Sequence, residues 1–314
     1  MSLQRHEDET LIKSYRYLRT AMVGLVFCLG VAVVFQTIEQ KSILSSISAY
    51  YYTPAQAIFV GALIAIGVCM IALKGTTEQE DVLLNIAGML APVVAIVPTA
   101  RGADYRAAVV ACRESDGSIF TDQALMPVDC PSIRALATAT QANIDNNMVA
   151  LLAVGAAALL TTLLFARRDR HPFKRFWLSF AFAVSVYALA AITFVVYTQG
   201  FIDNAHYVAA FGLFACIVAV AVVNALRHQG ERLARVNGLR VNTKKVIAAL
   251  FRSPDRYAGV ALAMVAAVLL GGALLIWGPW ADTLFWLEAS LIVLFATFWV
   301  IQTKEQWHQD RTLL

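Results

Sequence analysis

Charge is scarce in this chain. Of its 314 residues only 15 % are Asp, Glu, Lys or Arg, while 59 % are hydrophobic; a soluble globular protein carries about a quarter charged residues. A water-soluble fold is thereby excluded. Histidine is scarcer still. Five are present, none in the H-x-x-x-H or H-E-x-x-H spacing that sets two ring nitrogens on one helix face for zinc, so no metal is expected. Walker loops, the dinucleotide-binding glycine pattern and the G-x-S-x-G nucleophile turn are also missing. No cofactor is expected, and no catalytic residue is assigned. The net charge of +4 is too small to call for a nucleic-acid partner.

What the chain has instead is long apolar blocks: 20–37, 54–73, 82–97, 148–166, 176–197, 205–226, 257–277 and 283–301. Blocks of this length match the hydrocarbon core at about 1.5 Å rise per residue. They predict an all-α, polytopic bundle of eight transmembrane helices forming one domain, 1–314. The polar residues ahead of the first block end in no small-residue cleavage pattern, so that block is read as a retained anchor. Placing both termini in the cytoplasm leaves twenty Lys and Arg on the inner side. Only five (Lys41, Arg101, Arg106, Arg113 and Arg134) then fall outside. This bias sets the orientation and points to a bacterial inner membrane.

Local signals mark the block ends. Thr53, Pro54 and Gln56 form a T-x-x-Q capping box with proline at the first helical position. Tyr50, Tyr51 and Tyr52 before it suit headgroup depth. Thr77 with Glu80 opens the third block, Asp203 or Asn204 the sixth, and Ser253-Pro254 the seventh. Pro92 lies inside the third block and removes a helical hydrogen bond, so a carbonyl of the preceding turn must face protein or water.

Residues 99–147 form the largest outer segment. Cys112 and Cys130 are the two cysteines outside the apolar blocks, and on an oxidising exterior they are expected to pair, closing a loop worth roughly 3 kcal/mol by chain entropy. The stretch after Pro131 is helix-permissive, so the fourth helix is expected to start in this cap and run inward without a break. The basic segment 227–256 is cytoplasmic. Its "TKKVIAALFRS" sets Val246, Ile247, Leu250 and Phe251 against Lys244, Lys245 and Arg252, an amphipathic helix that lies in the interface and attracts anionic lipid.

Ionisable groups at membrane depth mark function. Glu288 in "DTLFWLEASLIVLF" lies about 7–8 Å below the outer start of its helix, and His206 lies one turn into its own. Glu39, Ser46, Ser48, Tyr52, Arg101, Asp145, Asn146, His206 and Glu288 share the outer level. They are the candidate ligand-binding residues of a polar vestibule for a small polar ligand or lipid headgroup. A transporter, channel or ligand-sensing module is expected. One alternative is a membrane-embedded lipid-modifying hydrolase using the serines at 42, 45, 46 and 48 with His206. The other is a structural subunit of a membrane complex.

The stretches "SSISAYYYTPAQAIFVGALIAIG" and "EDVLLNIAGMLAPVVAIVPT" resemble a family of bacterial, chiefly actinobacterial, multi-pass membrane proteins with no assigned activity, so the likeness carries no site residues. Residues 46–61 are also similar to the first outer loop of the GPI-lipid-remodelling and autophagy-modulator membrane proteins, which implies lipid-related work. Hydrolases of the ceramidase and adiponectin-receptor type need three histidines at membrane depth, and here only His206 qualifies.

Overall fold

The computed structural model describes residues 2–99, 109–112, 117–119, 128–168, 174–237, 242–278 and 280–309. Its helices are, in chain order, α1 (Ser2–Gln40), a 3₁₀ turn (Ser48–Tyr52), α2 (Gln56–Ala72), α3 (Glu78–Ile96), α4 (Cys130–Arg168), α5 (Lys174–Val196), α6 (Thr198–Asn237), α7 (Thr243–Arg252), α8 (Arg256–Trp277) and α9 (Thr283–Gln309). A two-residue antiparallel pair, β1 (Ser118–Ile119) with β2 (Val128–Asp129), precedes α4. Each apolar block falls on one helix. Seven of these helices are long and apolar enough to cross a membrane, and α2, at 17 residues, is a shorter apolar helix. The chain is a multi-pass integral membrane protein.

Several helix ends differ from the sequence reading. Thr53 does not cap α2. Its hydroxyl donates to Tyr50 O at 2.7 Å and accepts from Ala55 N at 3.2 Å, so it closes the 3₁₀ turn, and the helix begins at Gln56 without a side-chain cap. Helix α6 starts at Thr198, ahead of Asp203 and Asn204; there Asn204 Nδ2 donates back to Gly200 O at 2.9 Å as an interior helical residue. Asp255 rather than Ser253 caps α8, accepting from Ala258 N at 2.7 Å. Thr77 does cap α3, accepting from Glu80 N at 3.2 Å. Helix α4 runs unbroken from Cys130, and Cys112 stands at disulfide distance from it, their Cα atoms 5.1 Å apart.

The residues divide into two compact units, one of residues 1–95 with 208–314 and one of residues 96–207. In the first, α1 and α9 each bury a stripe at alternating spacings of three and four, and α3 is buried on every side from Ala91 onward. On α1 the stripe is Arg19, Met22, Val26, Leu29, Val33 and Gln36; on α9 it is Glu288, Leu291, Phe295, Phe298 and Gln302. The opposite face of α1 exposes Phe27, Val34, Phe35 and Ile38, as lipid requires. Helices α2 and α3 approach closely at a pair of glycines, with the Ile71 side chain over Gly88. A Cβ at Gly67 would lie 2.8 Å from Gly88 O and 3.1 Å from the Pro92 ring, and one at Gly88 would lie 2.6 Å from Gly67 O. Pro92 has no N–H to give Gly88 O, its partner four residues back. That carbonyl is turned onto the Gly67 backbone, a close Cα–H···O approach, so the proline is packed against protein.

In the second unit Tyr187 ties α5 to α4, its hydroxyl donating to Leu152 O at 2.9 Å while its ring covers Gly155. Arg134 Nη1 donates to Cys112 O at 3.0 Å.

Candidate functional site

Lys41, with φ of 54°, turns the chain out of α1 into the serine-rich loop. That loop is pinned to α9. Phe285 N donates to Ser45 O at 3.1 Å. Glu288 Oε2 accepts from Ile47 N at 2.7 Å and, more weakly, from Ser48 N at 3.4 Å. The first N–H groups of a helical turn have no partner within it, and a carboxylate there satisfies both the donors and the local positive end. Ser46 Oγ accepts from Ala49 N at 3.0 Å. Ser46, Ser48 and Glu288 are all buried.

The turn also carries two of the three tyrosines inward. Tyr50 is fully buried, its hydroxyl bonded to that of Thr37 and its ring 6.2 Å from Phe285. Tyr51 stands edge-on to Phe59 at 6.4 Å. Only Tyr52 is half-exposed. The first two are therefore core residues rather than an aromatic belt, because the 3₁₀ turn folds them under the loop.

Beneath Glu288 and Ser48 lies a cavity of about 70 Å³. Its walls come from α1 (Val26, Leu29), α2 (Phe59 to Met70), α3 (Ala91, Val94), α6 (Leu213, Ile217) and α9 (Ile292, Phe295). Apart from Glu288 and Ser48 every lining side chain is apolar. Chemically it is an apolar space with one polar end, where the Glu288 carboxyl and the Ser48 side chain stand.

Glu39 is exposed on α1, and Arg101 lies outside the described residues. Asp145, Asn146 and His206 belong to the second unit. His206 is buried with Nδ1 2.7 Å from Val97 O. A carbonyl only accepts, so Nδ1 carries the proton. Asp145 buries Oδ1, and Asn146 is exposed, its Nδ2 3.4 Å from Asn147 Oδ1.

A second polar group, missed in the sequence, lies at the other end of the same stripes. Gln302 is about 21 Å along α9 from Glu288 by helical rise. Gln302 Nε2 donates to Glu80 Oε1 at 3.4 Å, and Glu80 Oε2 accepts from Thr76 N at 2.8 Å and Thr76 Oγ1 at 2.6 Å. The Arg19 guanidinium lies over the Trp299 ring, 5.7 Å from its centroid. Nearby, Tyr257 stacks on His228 at 4.1 Å and donates to Glu305 Oε2 at 2.7 Å. Among the described residues no set of His, Cys, Asp and Glu could hold a metal ion. Arg19 falls outside an apolar block by one residue, and Glu80 reads as a cap; only the three-four spacing carried past the block ends marks them. Comparison of the chain with protein-family models, curated proteins and solved structures finds no match.

Proposed function

We propose that the chain crosses a bacterial inner membrane eight times with both termini in the cytoplasm, and that the cavity under Glu288 binds the polar head and first apolar segment of a lipid-like ligand from the outer side. One observation carries this reading: a buried carboxylate and hydroxyl stand at the head of a cavity whose other walls are hydrocarbon. A wholly polar solute entering it would lose its hydration without replacement, so of the two ligand classes expected from the sequence the lipid headgroup is favoured. Glu288 Oε2 is committed to the loop and the Ser48 side chain bonds Glu288, so the head would meet the two as one joined polar end. Anionic lipid at the cytoplasmic face is the second proposed partner. Helix α7 supports it: Val246 and Leu250 are buried, whereas Phe251, Ile247, Lys244, Lys245 and Arg252 are exposed.

The test is the lipid retained by the purified protein, read by native mass spectrometry. Val94→Phe fills the cavity and Glu288→Gln removes the charge while keeping a hydrogen-bonding side chain. Each is expected to lower retained lipid tenfold or more; wild-type retention in both variants defeats the proposal.

A further inference from the structure

The polar group around Arg19 lies on the helix faces that line the cavity. Arg19 is seven residues from Val26, Asn224 seven from Ile217, and Gln302 seven from Phe295, which is two helical turns and the same face. Between the two levels the stripes carry Met22, Leu84, Ala87, Val220, Ala221 and Phe298, none more than 3 % exposed.

Arg19 is 4 % exposed, and among the described residues neither its Nε nor its Nη1 has a hydrogen-bond partner. Trp299 Nε1, Gln302 Oε1 and Asn224 Oδ1 are likewise buried and unpartnered. Their side chains are 1 %, 4 % and 1 % exposed. Glu80 and Tyr257 lie within electrostatic reach of Arg19, but the Glu80 oxygens are engaged by Thr76 and Gln302. A buried guanidinium is not left dry in a folded protein. The orphans comprise both donors and acceptors, and water answers both. Oxyanions lack the donor that Gln302 Oε1 and Asn224 Oδ1 need.

We propose that unit 1 contains a second, water-filled chamber around Arg19, in line with the Glu288 cavity and separated from it by a dry apolar septum. Resting on the reading of that cavity as a ligand site, this makes the protein a transporter closed at its middle rather than a sensor. The two polar levels are the outer and inner halves of one route, and Arg19 meets the acceptor-rich head of whatever passes.

The test is labelling of single cysteines in proteoliposomes with a membrane-impermeant maleimide added to one side at a time. Cys28, Cys69 and Cys216 are replaced by serine and the 112–130 pair is kept. Asn224→Cys and Gln302→Cys are expected to react only from the side that carries the N-terminus, at least tenfold faster than Val220→Cys. Two positions are used so that one misfolded variant does not decide the result. Both residues unreactive from either side would mean a dry packed cluster and overturn the chamber. Val220→Cys reacting as fast as Asn224→Cys would overturn the septum. Ser48→Cys, probed from the opposite side, reports on the outer cavity alone, so failure of the ligand reading is told apart from failure of this one.

Discussion

Helices α4 and α5 of the second unit bury only 6 % of their apolar stretches, whereas α3 in the first buries 56 % and α6, most of which lies there, 39 %. Composition alone does not separate them: mean hydropathy is 2.4 and 2.2 for α4 and α5, 2.5 for α6 and 1.4 for α3. In lipid an apolar side chain gains little by leaving the hydrocarbon, so burial follows from what lipid cannot solvate. The first unit encloses Arg19, Glu80, Asn224, Glu288 and Gln302, and its helices close around them. Packing therefore does not follow hydropathy: α6 at 2.5 buries 39 % of its stretch and α4 at 2.4 only 6 %. The open faces of α4 and α5 are also where the structural-subunit alternative would place a partner.

That contrast can be broken at its tightest point. Gly88→Leu drives a side chain into Gly67 O and the Ile71 side chain; overpacking of this kind costs about 3 kcal/mol, and no monodisperse protein is expected on size exclusion. A bulky residue at Gly200 in the second unit, where a Cβ meets nothing within 4 Å, is expected to leave the elution profile unchanged. Opening the 112–130 pair with Cys112→Ser frees a loop of 18 residues and is expected to lower stability by roughly 3 kcal/mol or less, read as a lower melting temperature under non-reducing conditions. Glu288→Leu removes the acceptor of Ile47 N and should cost about 2 kcal/mol, together with faster proteolysis of the serine-rich loop. The smallest change is Tyr187→Phe, which loses one bond to Leu152 O; about 1 kcal/mol is expected, and a shift as large as that of Glu288→Leu would show that α4 and α5 are held more tightly than their exposure implies.

The helices were legible because lipid imposes length and apolarity on each block, and Glu288 because a carboxylate inside such a block has to be accounted for. Its partners were not. That Oε2 would take the N–H groups of Ile47 and Ser48 depends on a 3₁₀ turn whose SAYYY sequence also suits a belt of interfacial tyrosines. His206, Asp145 and Asn146 are grouped with Glu288 by depth, which is one coordinate of three; the angular position of each helix is set by packing and is not written in hydropathy. Arg19 was hidden by its place: a cation next to an apolar block reads as a flank until its stripe partners at Met22 and Val26 are seen to be buried.

The glycine contact between α2 and α3 bears on motion. Where the backbones touch at Gly67 and Gly88 the side chains at the contact are those of Ile71, Ala91 and Pro92, so few rotamers would have to change if one helix slid past the other. Displacement along this seam would bring Ala91 and Val94 past Ile66 and Met70 with less repacking than at a contact of interdigitated leucines.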